Sequence, residues 1–224
     1  MQKVLLRYLA YTLAVFLGMT LIIAIVARMP GGLGFDRSVP GIGARTSEFS
    51  PVELLQNVLL LFSAAGFAWI AQRDRLRRPM AISLTFLMIG CLVRELDFFL
   101  DFYVVDNLWQ VLFGLLISFA LVYGVRQRSR LVQGWKRSWP SAGLALIMGG
   151  FIVIVPFAQL VGHGALWEGI LGDNYVRVVK VAAEEFAELG GYVLVALGTV
   201  EFLYAWSRLP RKRKVRRKSK ASPV

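Results

Sequence analysis

Histidine and cysteine are almost absent from this 224-residue sequence, which contains one of each, His163 and Cys91. A single histidine excludes a haem with two histidine ligands and a zinc site built from several imidazoles of this chain. It also excludes a di-iron carboxylate bundle, which needs two Glu-x-x-His motifs. A single cysteine excludes a disulfide framework and a thiolate metal cluster.

Motifs of soluble enzyme classes are lacking as well. There is no Gly-x-Ser-x-Gly elbow of a serine hydrolase, no P-loop and no dinucleotide fingerprint. We therefore expect no haem, no nucleotide and no zinc site with several histidines. A divalent cation held by carboxylates stays open, because oxygen ligands suit Mg, Ca or Mn.

Charged residues are scarce, and apolar residues are abundant. Charged residues make up 18% of the chain and hydrophobic residues 57%, with a mean hydropathy of +0.59. Soluble domains carry about 25% charged residues. A soluble domain of this length could not bury so much apolar surface, so the composition predicts an integral membrane protein in a lipid bilayer.

Six apolar runs are each long enough to cross a bilayer, which takes about 20 residues at a rise of about 1.5 Å per residue. They predict an all-α bundle of six transmembrane helices in one domain, residues 1–209, followed by a disordered basic tail, residues 210–224. Lys3 and Arg7 precede the first run as in a signal peptide, but the run is too long for one, so we expect a retained helix. The predicted helices lie near residues 4–27, 52–71, 79–100, 105–125, 141–161 and 178–206.

Basic residues are concentrated on one side of this arrangement. Two precede the first helix, four join the second and third, five join the fourth and fifth, and nine lie in the segment RLPRKRKVRRKSK, together 20 of the 26 Lys and Arg. The positive-inside rule makes this side cytoplasmic, with both termini inside. The net charge of +12 is then mainly a topology signal. We expect the tail to contact anionic headgroups rather than nucleic acid, in a bacterial cytoplasmic (inner) membrane.

Acidic residues have the opposite distribution. Of the 14 Asp and Glu, Asp74 and Glu201 fall on the predicted cytoplasmic side, and the other twelve fall in outer loops or outer parts of helices. An ionised side chain facing lipid costs roughly 2.5–3.5 kcal/mol at a helix centre, so polar faces at this depth should turn toward one another. The candidate residues for binding a ligand or a proton are Glu184, Glu185, Glu188, Arg94, Glu95, Asp97, Asp101, Glu53, Gln56, Asn57 and His163.

Arg94 lies in the stretch CLVRELDFFLD, residues 91–101, which ends the third predicted helix. In a continuous helix Arg94, Asp97 and Asp101 would share one face, because they are three and seven residues apart. We expect one or two carboxylates to neutralise Arg94. The preferred partners are Glu184 and Glu188 on the sixth helix, with Asp97 as a local one.

The segment 29–50 is rich in Gly, Pro and Ser and is expected to be an outer loop. Its end carries signals for the start of the second helix. Thr46-Ser47-Glu48 and Ser50 are candidate caps, with Glu53 three residues after Ser50 and Pro51 in the first turn.

Two further patterns concern helix packing. Ala183, Ala187 and Gly191 are four residues apart, which would let the sixth helix approach a neighbour closely. Residues 57–75 resemble residues 110–128, and each segment is followed by a basic stretch with a proline and another apolar helix. This echo would relate helices 2–3 and 4–5 as parallel repeats, as in some transporters.

Three functions remain open from the sequence. The leading hypothesis is an outward-facing acidic cavity that binds or transports a cation, a proton or a small polar solute, because intramembrane ionisable groups mark such pathways. If a metal is involved, Glu184, Glu188 and Asp97 are its candidate ligands. The second is a structural subunit whose charge pairs fix helices in register, with a membrane partner or a second copy. The third is a membrane-embedded enzyme acting on a lipid headgroup, with a carboxylate pair as acid and base.

Overall fold

Helices form nearly all of the computed structural model, which describes residues 2–26, 28, 37–39, 43–45, 50–139 and 141–207. The exception is an antiparallel hairpin of β1 (Arg37–Val39) and β2 (Gly43–Arg45), inside the segment expected to be an outer loop. The basic tail 210–224 and the candidate cap at residues 46–48 lie outside the described residues.

Ten α-helices occur within these ranges. Five of them are long and apolar enough to cross a membrane, and a sixth span is possible if α3 and α4, which meet at a bend of 59°, are counted as one. A π-helical turn (Val153–Phe157) joins α7 to α8, and a 3-10 turn (Gly172–Asn174) follows α9. The helices are α1 (Gln2–Val26), α2 (Pro51–Arg73), α3 (Arg78–Glu95), α4 (Asp97–Tyr103), α5 (Leu108–Arg126), α6 (Arg128–Ser138), α7 (Ala142–Ile152), α8 (Ala158–Val161), α9 (Gly164–Leu171) and α10 (Arg177–Ser207).

The start of α2 confirms the cap predicted at Ser50. The Ser50 hydroxyl accepts a hydrogen bond from the Glu53 amide at 3.1 Å, and the Glu53 carboxylate accepts one from the Ser50 amide at 3.2 Å. Two amides that would lack partners at the helix start are thereby satisfied. Pro51 occupies the first turn, where its missing N–H costs nothing.

The predicted helix 79–100 is interrupted near its end, at Leu96. The α-helix ends at Glu95, Leu96 leaves helical geometry with φ −101° and ψ 20°, and a short helix restarts at Asp97. The Asp97 carboxylate accepts a hydrogen bond from the Phe98 amide at 2.6 Å, which favours a new helix start. The bend removes Asp97 and Asp101 from the helix face that carries Arg94.

The predicted helix 141–161 is interrupted by the π-helical turn, and Pro156 lies within it. A proline in a helix removes one hydrogen bond and crowds the preceding turn, and a π-turn accommodates the change in register. The insertion rotates α8 relative to α7 and thereby sets the direction of its side chains.

The core lies between α2, α3, α7 and α10. Helix α10 packs mainly on α7 and α2, α2 also packs on α3, and α3 packs on α5. Buried Phe67, Met80, Ile147 and Phe202 fill one end of this core. Helix α1 lies outside it, with most of its side chains exposed.

Paired glycines allow α7 and α10 to approach closely. A Cβ at Gly143 would lie 2.7 Å from the Gly198 carbonyl oxygen, and one at Gly150 would lie 2.7 Å from the Gly191 carbonyl oxygen. Real Cβ atoms do not approach so closely. Gly191 therefore allows the close helix packing that was expected at this position. The second residue of α10 that allows it is Gly198, seven residues later, and not Ala187.

Helix α6 replaces part of the basic connection that the sequence analysis left without structure. Its Leu131 and Trp135 pack against the core, and Gly134 lies close to the Leu76 carbonyl oxygen of the α2–α3 turn. Its basic side chains are exposed. It is therefore an amphipathic helix lying against the bundle at the α2–α3 turn.

The hypothesis of parallel repeats is not supported by the packing. Helix α2 packs along α3, the next helix in the chain. Helix α5 instead packs on α3, while α7 packs on α10. The similarity of residues 57–75 and 110–128 is therefore not accompanied by equivalent packing of the two helix pairs.

The turn between α2 and α3 is held by Asp74. Its carboxylate accepts hydrogen bonds from the amides of Leu76 and Arg77 at 3.0 and 3.2 Å and pairs with the Arg77 guanidinium at 2.7 Å. Arg77 also donates to the Ser138 hydroxyl of α6. Burial acts to raise the pKa of Asp74, but these hydrogen bonds and the Arg77 charge outweigh it and lower the pKa.

A lowered pKa makes the stability contributed by Asp74 depend on pH. Since the folded pKa lies below the unfolded value of about 3.9, the contribution is complete above that value and is lost as the pH falls through the folded pKa. We expect Asp74→Asn to lower the free energy of unfolding by about 1 kcal/mol at neutral pH. Unfolding measured at several pH values should show this difference shrinking below about pH 4; a difference independent of pH would contradict it.

Candidate functional site

A charged network joins α3 to α10. Arg94 donates to the Glu188 carboxylate at 2.6 Å and to the Glu95 carboxylate at 2.9 Å, using a different guanidinium nitrogen for each. Glu188 is one of the two partners predicted on the sixth helix, and Glu95 takes the local role expected of Asp97. Helix α2 packs against both α3 and α10, so the guanidinium bridges two helices that share this neighbour.

Tyr192 completes the network from one turn further along α10. Its hydroxyl donates to the same Glu95 oxygen that accepts from Arg94, at 2.6 Å. Tyr192 and Glu188 are four residues apart, so both point from one face of α10 toward α3. The Tyr192 ring is fully buried against the core. Glu95 therefore accepts hydrogen bonds from its own helix, through Arg94, and from α10, through Tyr192.

Burial and charge are unequal within the network. The side chains of Glu188 and Glu95 are 2% and 6% exposed, whereas that of Arg94 is 35% exposed. The Arg94 guanidinium therefore lies nearer the surface of the helix bundle, and the two carboxylates lie deeper within it. One cation meets two carboxylates, so the network carries one surplus negative charge when both are ionised. Buried surplus charge is costly unless another cation or a proton balances it.

Glu185 reaches a different helix. Gln56 of α2 is fully buried, and its side-chain amide donates to the backbone carbonyl and to the carboxylate of Glu185, both at 3.0 Å. The carbonyl oxygen of the Gln56 side chain has no hydrogen-bond partner among the described residues. This contact confirms that polar groups of α2 and α10 face one another.

Glu184 points toward α8. Its carboxylate lies over Gly162, where an added Cβ would overlap the carboxyl carbon. The side chain of Gln159 lies 3.4 Å from Glu184 in an exposed position. Glu184 is therefore not the partner of Arg94, contrary to expectation. The three glutamates contact three different helices, because Glu185 lies about 100° round α10 from Glu184, and Glu188 lies about 6 Å further along the helix axis than Glu184.

The remaining candidates lie apart from the network or have other contacts. Asp97 binds the Phe98 amide, and Glu53 caps α2. Carboxylate or amide oxygens of Asp101 and Asn57 are buried without a hydrogen-bond partner in the described part of the chain. His163 is exposed between α8 and α9 and is not part of the Arg94 network.

The described residues contain no group of three His, Cys, Asp or Glu side chains that could hold a metal ion. The suggested metal ligands Glu184, Glu188 and Asp97 are thus not assembled into a site. Glu188 is occupied by Arg94, Glu184 faces α8, and Asp97 follows the bend.

A second ion pair, which the sequence analysis did not predict, lies near the other end of α10. Arg7 of α1 pairs with Glu201 at 3.0 Å, and the Tyr11 hydroxyl donates to the other oxygen of Glu201 at 3.0 Å. Arg7 also lies 4.5 Å from the centre of the Tyr204 ring. Two signals were present: Glu201 is an isolated acid in an apolar stretch, and Arg7 and Tyr11 are one helical turn apart.

The two ion pairs delimit an uncharged part of α10. Glu188 and Glu201 are thirteen residues apart, which is about 20 Å at helical rise. Residues 189–200 between them contain no charged side chain. Comparison of the chain with protein-family models, curated proteins and solved structures found no match.

Proposed function

We propose that this chain is an integral membrane protein whose network of Arg94, Glu95, Glu188 and Tyr192 binds and transfers a proton or a small cation. The observation that carries the proposal is the charge count: one guanidinium between two buried carboxylates leaves a negative charge that a proton or cation would balance. Groups of this kind within apolar helices are the usual carriers of protons and ions.

The placement in a membrane is part of this proposal. Five apolar helices of sufficient length, or six with the bent pair, support it, as does the uncharged stretch of α10 between its two ion pairs. The basic residues near the start of α1, between α2 and α3 and in α6 favour six spans with both termini on the cytoplasmic side, and a bacterial inner membrane is the proposed location. The Arg94 network then lies in the outer half of the bilayer.

Transport in vesicles tests the proposal. Purified protein is placed in liposomes, and uptake of protons is followed with a trapped pH dye and uptake of sodium with a tracer, under an imposed membrane potential. We expect one of the two ions to enter faster than in protein-free vesicles. Glu188→Gln should abolish this excess, because it removes the surplus charge while keeping the side-chain shape.

Glu168→Gln is the matched control. Glu168 is exposed on α9 and is not part of the Arg94 network, so this substitution should leave uptake unchanged. Uptake that persists in Glu188→Gln, or that is lost equally in Glu168→Gln, would contradict the proposed role of Glu188.

A second candidate function is structural, and the Arg94–Glu188 contact favours it. A buried ion pair between two helices can fix their register without carrying anything. In that case the protein would be an assembly subunit, Glu188→Gln would alter its stability, and vesicle uptake would equal that of protein-free vesicles.

A further inference from the structure

A groove of about 480 Å³ opens between α3 and α5, on the side of the bundle away from α10. Its walls are apolar side chains of both helices, among them Leu87, Ile117 and Leu121, and Leu131 of α6 closes one end. The volume is within the ~300–1,000 Å³ of small-molecule sites. In the proposed membrane placement, the groove lies in the cytoplasmic half of the bilayer.

The closed end of the groove is basic. Arg128, at the start of α6, is one of its lining residues, and Arg126 and Arg130 are exposed beside it. None of the three forms an ion pair with a described residue. The sequence contains no Asp or Glu between Asp106 and Glu168, so no carboxylate of this segment competes for them. Three cations without an ion pair among the described residues, placed at an apolar groove, complement a ligand with an anionic head and an apolar tail.

Ser83 adds a hydrogen-bonding group to the apolar wall. Ser63, Thr85 and Thr199 each donate to the carbonyl four residues earlier in their helices. Ser83 lines the groove, and its hydroxyl oxygen is buried in the wall without a partner among the described residues. An ester carbonyl of a bound ligand would satisfy it once the side chain turns toward the groove.

We infer that this groove binds one anionic phospholipid of the cytoplasmic leaflet, with an acyl chain between α3 and α5 and the phosphate on Arg128. Arg126 and Arg130 add to the attraction for the phosphate, as basic residues at a membrane surface do. The inference rests on the membrane placement proposed above, but not on transport by the Arg94 network, which lies at the opposite end of α3.

Binding of defined lipids to the purified protein in detergent tests this inference. Native mass spectrometry with phosphatidylglycerol and phosphatidylcholine of equal chain length should show tighter binding of phosphatidylglycerol. We expect Arg128→Gln to weaken phosphatidylglycerol binding roughly fivefold, the effect of one basic residue near a headgroup. Ala120→Trp, which fills the groove, should weaken binding of this lipid without removing Arg128.

Arg137→Gln is the matched control, because Arg137 is exposed on the same helix about two and a half turns from Arg128 and therefore on the opposite face. Equal affinity for both lipids, or equal weakening by Arg137→Gln and Arg128→Gln, would overturn the specific site. Unfolding midpoints without lipid, if equal to wild type, exclude misfolding as the cause of weaker binding. Release of the protein from membranes by an alkaline wash would instead overturn the membrane placement itself.

Discussion

Arg94→Gln is expected to lower the free energy of unfolding by about 3 kcal/mol, because removing one partner of a buried ion pair leaves the other charge uncompensated. Here two buried carboxylates, Glu95 and Glu188, lose their shared cation. Chemical unfolding in detergent measures the change. Arg137→Gln, at an exposed position of α6, removes the same charge and should change stability by less than about 0.5 kcal/mol.

A double variant separates loss of charge balance from loss of packing. Adding Glu188→Gln to Arg94→Gln leaves Glu95 with its Tyr192 hydrogen bond and restores the surplus of one negative charge present in the wild type. We expect most of the lost stability to return, which is the coupling that a double-mutant cycle measures. If the double variant is less stable than Arg94→Gln alone, charge balance is not what stabilises this site.

Gly150→Leu is expected to lower the free energy of unfolding by about 3 kcal/mol, at the upper end of the cost of overpacking. The Cβ alone would lie 2.7 Å from the Gly191 carbonyl oxygen and 2.7 Å from a methyl carbon of Val195. Helix α7 would have to move away from α10. Thermal unfolding in detergent should show a midpoint lower by roughly 5–10 °C.

The neighbouring residue provides the control for this prediction. An added Cβ at Gly149 meets nothing within 4 Å, although Gly149 lies on the same helix. Gly149→Leu should therefore be neutral or slightly stabilising, since leucine favours a helix over glycine by somewhat less than the ~1 kcal/mol that separates alanine from glycine. Equal destabilisation by both substitutions would mean that the contact between α7 and α10 is not the cause.

The helical class and the positions of most helices could be predicted from the sequence because apolar runs and caps are local signals. Ser50 and Glu53 marked the start of α2 correctly. The bend at Leu96 could not be predicted, because the apolar pattern continues through Phe98 and Phe99 and no proline or glycine interrupts it. Helix α6 was also not predicted, because this segment has few apolar residues and resembles an unstructured basic connection.

The sequence predicted which charged residues form the site, but it did not predict most of the contacts between them. Arg94 and Glu188 were identified as partners because both are charged residues deep in apolar helices. The separation of Glu184 and Glu185 from them depends on which helix lies beside each position, and this information is tertiary. The contact of Tyr192 with Glu95 was signalled by the spacing of Tyr192 and Glu188 on α10.

Ion uptake by Glu188→Gln tests the central claim most directly, because this variant removes the surplus negative charge and leaves Arg94 paired with Glu95. If the network binds and transfers a proton or cation, vesicles containing folded Glu188→Gln should show no more uptake than protein-free vesicles, while Glu168→Gln behaves as wild type. Uptake at the wild-type rate in folded Glu188→Gln would contradict the account and leave the Arg94–Glu188 pair as a structural contact.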